Sequence, residues 1–218
     1  MNNVKIAPSV LSADFAKMGD EVAGLQRFGA DMIHVDVMDG VFVPNITFGI
    51  KMVKDIRPYT ELPFDVHLMI VEPWKYVERF AAAGADYITV HAEACGERTA
   101  ETLKRIRGCG AKCGVVINPD TPAEKAEAVL DLCDMAVVMG VHPGFGGQKY
   151  IEEVGKKIAR LAGALKARKS AALLELDGGV TEENAAKIAS LGANVLVAGS
   201  AVFGAKDKKA AIVRLKGI

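Results

Sequence analysis

The tetrapeptide Phe28-Gly29-Ala30-Asp31 returns three times with small changes, as Ala83-Gly84-Ala85-Asp86, Cys109-Gly110-Ala111-Lys112 and Leu191-Gly192-Ala193-Asn194. Each glycine stands where a helix would end in a left-handed cap, and a β-branched run follows it. Successive glycines are 55, 26 and 82 residues apart, close to two, one and three steps of about 27. Strand-like runs at 5–11, 31–38, 64–70, 87–92, 112–118, 135–141, 173–177 and 195–198 alternate with helix-like stretches. Strands alternating with helices predict a parallel sheet. Eight such steps use up the 218 residues, so the expected fold class is α/β, a single (β/α)8 TIM barrel occupying residues 1–218.

Helix starts are expected at Ser12, capping a helix that runs to about Phe28 with Phe15, Val22 and Leu25 on one face, at Thr121-Pro122 and at Thr181-Glu182. The chain carries 27 basic and 27 acidic residues, a formal net charge of zero. No bulk attraction to nucleic acid or to an anionic membrane is expected, and the lysines at 166–169 and 206–209 read as solvated helix faces. The opening Met1-Asn2-Asn3-Val4-Lys5 has no apolar signal core, and no run approaches the roughly 18 apolar residues of a membrane helix. Cys95, Cys109, Cys113 and Cys133 lack metal-type spacing and read as free, packed thiols. A cytoplasmic protein is the expectation.

Barrel strands are buried on both faces and should be apolar throughout, yet three are not. Ile33, Val35 and Val37 alternate with His34, Asp36 and Met38; Val66, Leu68 and Ile70 alternate with Asp65, His67 and Met69; Leu174 and Leu176 alternate with Glu175 and Asp177. A period of two sends the aliphatic sets to the helices and the polar sets into the barrel. One buried histidine alone would read as part of a hydrogen-bonded core, but this set needs more, because a buried ionised group costs several kcal/mol unless paired or metal-bound. If His34, Asp36, His67 and Asp177 are ligands, two neutral imidazoles and two carboxylates suit one divalent metal ion, Zn²⁺, Fe²⁺, Co²⁺ or Mn²⁺. Strands two and seven lie three steps apart on an eight-strand ring, so Asp36 and Asp177 should approach an axial ligand from nearly opposite sides. That arrangement suits inversion of a carbon next to a carbonyl, one carboxylate removing a proton and the other returning one, with the metal stabilising an enediolate.

The sixth strand runs into Val141-His142-Pro143-Gly144-Phe145-Gly146-Gly147-Gln148, where three glycines let amides approach an anion or let a loop close. Gly178-Gly179-Val180 and Ala198-Gly199-Ser200 follow strands seven and eight, where this fold commonly holds phosphate on backbone amides. Neither contains Lys or Arg. Met38, Met69 and Met139 either form a water-poor collar or fill the core. Ser9 either binds a substrate hydroxyl or satisfies a backbone carbonyl.

Ala7-Pro8-Ser9, the run from His34 to Asn45, Asp65-Val66-His67-Leu68-Met69, the run from His142 to Gln148 and Asp177-Gly178-Gly179-Val180 closely resemble the motifs of the ribulose-phosphate 3-epimerase family across essentially the whole chain. The resemblance implies a barrel of the ribulose-phosphate-binding type and interconversion of D-ribulose 5-phosphate and D-xylulose 5-phosphate in the pentose phosphate pathway. It implies Asp36 as proton acceptor, Asp177 as donor, and a metal on His34, Asp36, His67 and Asp177. It also implies substrate contacts at Ser9, His67, Gly144, Phe145, Gly146, Gly147, Gly178, Gly179, Gly199 and Ser200. A homo-oligomer is expected only because such assemblies are common. His142 and Val41 depart from the family pattern, and neither is a proposed ligand. Three other readings compete: an epimerase of a ketohexose 6-phosphate such as allulose 6-phosphate, a decarboxylase or aldolase-type synthase, and a non-catalytic sugar-phosphate sensor. The synthase reading needs a lysine where this chain has His67.

Overall fold

A computed structural model describes residues 4–217; Met1, Asn2 and Asn3, read above as part of a leader-free start, and Ile218 lie outside them. Eight strands, β1 (Lys5–Ala7), β2 (Ile33–Met38), β3 (Phe64–Met69), β4 (Tyr87–His91), β5 (Lys112–Ile117), β6 (Met135–Met139), β7 (Leu173–Asp177) and β8 (Val195–Val197), form one sheet. Neighbours run β1-β8-β7-β6-β5-β4-β3-β2, every pair parallel. The two ends meet through a parallel bridge between Ser9 and His34 and through His34 N–H donating to Pro8 O at 3.1 Å. The expected TIM barrel is thus formed.

The aliphatic side chains that alternate outward, among them Val35, Val66, Leu68, Val90, Val115 and Leu176, are fully buried against the helix layer. A separate cluster of Met32, Tyr87, Val116, Met135, Val137 and Val195 plugs the barrel interior, the packed core that this fold requires. The four repeated glycines are left-handed, with φ of +86° at Gly29, +105° at Gly84, +84° at Gly110 and +116° at Gly192. A side chain there would be strained, so the repeat marks where helices stop and strands begin. The four cysteines are free, and among the described residues no helix is long and apolar enough to cross a membrane.

Local readings need correction where capping decides. The first run is shorter than 5–11, because Pro8 has no N–H for the ladder and Val10–Ser12 turns into a 3₁₀ helix capped by Ser9. Asp14 caps a second such turn, Phe15–Lys17, so α1 (Met18–Arg27) starts six residues after Ser12, which caps nothing. Val22 and Leu25 are buried as expected, whereas Phe15 is half exposed. Thr121 is not a cap either: its hydroxyl donates to Glu93, and the helix beyond it is only Glu124–Glu127. The helix after β7 begins at Ala185 with Asn184 in the cap position, and Asn184 Oδ1 accepts the Thr181 N–H at 2.8 Å.

Candidate active site

The β2–β3 register pairs His34 with Asp65 and Asp36 with His67, so the inward faces stack two polar layers. In the upper layer His34 Nε2 and His67 Nδ1 each lie 3.2 Å from Asp36 Oδ1. Asp177 Oδ2 completes the group from β7, at 3.5 Å from His34 Nε2 and 3.2 Å from His67 Nδ1. One ligand atom from each of these four buried residues lies within 4.8 Å of the others. Beneath them, His34 Nδ1 meets Asp65 Oδ2 at 2.7 Å, with Glu175 Oε1 at 3.7 Å. Ser9 Oγ donates to Asp36 Oδ2 at 2.5 Å and accepts the Leu11 N–H. Of the two readings left open for Ser9, the backbone-carbonyl one is not observed: its hydroxyl donates to a carboxylate instead. Thr47 Oγ1 donates to the Asp36 carbonyl at 2.6 Å, fixing the backbone on which that carboxylate sits.

Burial alone would discharge His34, but Asp36, Asp65 and Asp177 outweigh it and raise its pKa well above the usual imidazole value. His67 is raised too, burial being overcome by Asp177 and Asp36. Burial pushes the Asp36 carboxyl up, yet His34 and His67 hold it well below the usual range. For Asp177, burial and the Asp36 charge push up while His34 and His67 pull down, leaving it lowered. Burial and Asp65 raise Glu175 well above an ordinary glutamate. Positive charge is thus favoured at the centre of the upper layer, and its donors, two imidazole nitrogens and two carboxylate oxygens, fit a divalent transition ion. His34, Asp65 and Glu175 are also close together, but Asp36 and Asp177 open onto a cavity while Asp65 and Glu175 do not.

That cavity, about 400 Å³, sits at the C-terminal end of the barrel, where active sites of this fold lie. Ser9, Asp36 and Asp177 line it, together with Gly144, Phe145, Gly146 and Gly147 of the loop after β6, Gly178 and Gly179 after β7, and Gly199 and Ser200 after β8. His34 and His67 lie beneath it, wholly buried. Met38, Met69 and Met139 border it and also pack, buried, in the core clusters, so their position fits both readings. Gly179 has φ +72°, and a Cβ there would come 2.4 Å from the Tyr150 backbone nitrogen, so the turn closes only with glycine. Gly199 is the N-cap of Ser200–Phe203, whereas Gly178 and Gly179 precede the next helix by several residues, not one. His142 is exposed, 3.6 Å from Asp120, and Val41 is exposed; neither reaches the cluster.

Besides Thr47, three contributors were not expected from the sequence. Asn45 Nδ2 donates to Gly144 O at 2.9 Å and ties the β2 loop to the β6 loop across the mouth. His67 Nε2 meets His91 Nε2 at 2.8 Å, and His91 Nδ1 lies 3.3 Å from Glu93 Oε2. Burial lowers His91 to about 4; Glu93, despite burial, is lowered to about 2 by His91, Thr121 and Asn118. His91 ends a strand whose Thr89 and His91 point inward, an alternation too short to stand out.

A barrel with a buried two-histidine, two-aspartate centre under a glycine-lined cavity defines a TIM-barrel enzyme with acid–base groups and a place for a cation. Residues 5–203 match the model of the ribulose-phosphate 3 epimerase family. The chain is 51% identical over 215 residues to the ribulose-phosphate 3-epimerase of Bacillus subtilis (strain 168), covering 98% of this chain and 99% of that one. It is 50% identical to the chloroplastic ribulose-5-phosphate-3-epimerase of Arabidopsis thaliana, covering 99% and 77% respectively. Among solved structures, a mutant tryptophan synthase alpha-subunit from Pyrococcus furiosus superposes over all of both chains with a TM-score of 0.73 at 17% identity, a likeness of fold. The chain belongs to the ribulose-phosphate 3-epimerase family and is an isomerase.

Proposed function

We propose that the chain interconverts D-ribulose 5-phosphate and D-xylulose 5-phosphate by moving a proton at C3 between two carboxylates. The observation that carries this reading is the pair Asp36 and Asp177, brought to the cavity floor from strands three places apart in the ring. Asp36, held ionised and anchored by Ser9 and Thr47, takes the C3 proton from one face. Asp177 returns a proton to the other face of the enediolate, and the two exchange roles in the reverse direction. In the forward direction Asp177 carries its proton at the start, and burial and the Asp36 charge are the two influences that favour that form. His34, Asp36, His67 and Asp177 would hold one divalent ion, Zn²⁺, Fe²⁺, Co²⁺ or Mn²⁺, which would supply positive charge to stabilise the enediolate. Met38, Met69 and Met139 keep water away from the reacting carbon. Amides around Gly178, Gly179, Gly199 and Ser200 hold the phosphate, and Gly144, Phe145, Gly146 and Gly147 cover the sugar.

We place this enzyme in the cytoplasm as a homo-oligomer acting on a small phosphorylated ketose, without nucleic-acid or membrane partners. Light scattering of the purified protein gives the oligomeric state. Turnover of ribulose 5-phosphate and allulose 6-phosphate, assayed side by side, tests the function. Faster epimerisation of the pentulose supports the reading, preference for the hexulose replaces it with the related epimerase, and binding without turnover of either leaves the sensor.

A further inference from the structure

Two histidines meet below the cavity floor, and only one of them belongs to the cluster. His67 turns Nδ1 toward Asp36 and Asp177, 3.2 Å from each, and its Nε2 touches His91 Nε2 at 2.8 Å. Both rings are wholly buried. The far nitrogen of His91, Nδ1, is 3.3 Å from Glu93 Oε2. Glu93 Oε1 accepts the Asn118 backbone N–H at 2.8 Å and the Thr121 hydroxyl. The proton transfers at C3 use neither His91 nor Glu93.

A neutral imidazole carries one N–H and one lone pair, so of two Nε2 atoms in contact one donates and the other accepts. A ring nitrogen that binds a metal offers its lone pair, and the partner of the other nitrogen decides which tautomer is present. With Nδ1 of His67 facing the cluster, its proton belongs on Nε2 and is donated to His91. His91 then carries its own proton on Nδ1, where it needs an acceptor. Glu93 Oε2 is that acceptor, because an ionised carboxylate only accepts. The Asn118 N–H commits the other oxygen in the same sense, so the chain of donors runs one way, outward from the cluster.

We propose that Glu93, acting through His91, sets the tautomer of His67 and so keeps the Nδ1 lone pair of that ring aimed at the metal-holding cluster. Glu93 is a positioning residue, two rings away from the acid–base groups. The inference rests on the ligand role proposed for His67.

Glu93→Gln tests it, since the side chain keeps its shape and exchanges one oxygen for NH₂. The Asn118 N–H retains the remaining oxygen, so the NH₂ faces His91 Nδ1 and donates to it. Both rings then reverse, and His67 presents an N–H where the metal should bind. Zinc affinity of the metal-stripped protein, read by competition with a chromophoric chelator, should fall about 10–100-fold, the scale for partners that orient metal ligands. Thr121→Val, which leaves the carboxylate in place, should bind zinc like the wild type. In nitrogen-15 imidazole spectra of the zinc-loaded wild type, His91 should be protonated at Nδ1 and not at Nε2. Wild-type zinc affinity in Glu93→Gln, or a proton on His91 Nε2, overturns the proposal while leaving the epimerase reading intact. A wild-type protein that binds no zinc at this centre overturns the ligand role itself and the inference with it. Should Glu93→Gln fail to fold, the wild-type spectrum decides alone.

Discussion

At the residue scale, His34 and His67 do two things: they gather Asp36 and Asp177 within one 4.8 Å group, and they hold both carboxyls low. Epimerisation by this route requires Asp177 to exchange a proton, which an amide of the same shape cannot do. Asp177→Asn should therefore lower kcat by about 10²–10⁴-fold, the usual worth of a positioned acid or base, with the far-ultraviolet circular dichroism unchanged. Wild-type turnover with full metal occupancy would show that Asp177 is neither. These residues were legible in the sequence because polar side chains interrupt an apolar alternation three times over. His91 and Glu93 were not, because their roles arise only from pairing across β3, β4 and β5, which brings His91 against His67 and Glu93 against Asn118.

At the scale of elements, the register Asp36↔His67 is what makes the centre. A slip by one residue would send every polar side chain of β3 to the helices, and the buried Val66 and Leu68 prevent it. The loop after β7 depends equally on one residue. Gly179→Ala should cost at least about 1–2 kcal/mol from its left-handed backbone alone, and the contact with Tyr150 adds to that. Urea unfolding measures the loss, and a raised KM for the phosphorylated ketose should accompany it; unchanged stability would remove the argument that this turn closes only with glycine. The strand ends and left-handed glycines were readable from repeated tetrapeptides. The helix starts at Ser12, Thr121 and Thr181 were not: Ser9 and Asp14 cap 3₁₀ turns ahead of α1, Thr121 turns its hydroxyl to Glu93, and Asn184 Oδ1 takes the Thr181 N–H, choices that local side chains alone do not decide.

At the scale of the whole molecule, closure of the ring through Ser9 and His34 places a strand-end bridge and the site in the same residues, so fold and function are secured together. With no net charge, selectivity for an anion falls to local glycine amides and the cluster. A bound ion should also stabilise the fold: at an ion concentration 100 times Kd the gain is about 2.7 kcal/mol, or roughly 5–10 °C in Tm for a chain of this size. Chelator treatment should remove that increment, and restoring zinc, cobalt or manganese should return it; a Tm indifferent to both would count against a metal at this centre. The central claim, proton exchange at C3 between two carboxylates, is tested most directly by incubating the metal-replete protein with ribulose 5-phosphate in D₂O. Deuterium entering at C3 of both ketose phosphates is the result expected, and its complete absence would contradict the account.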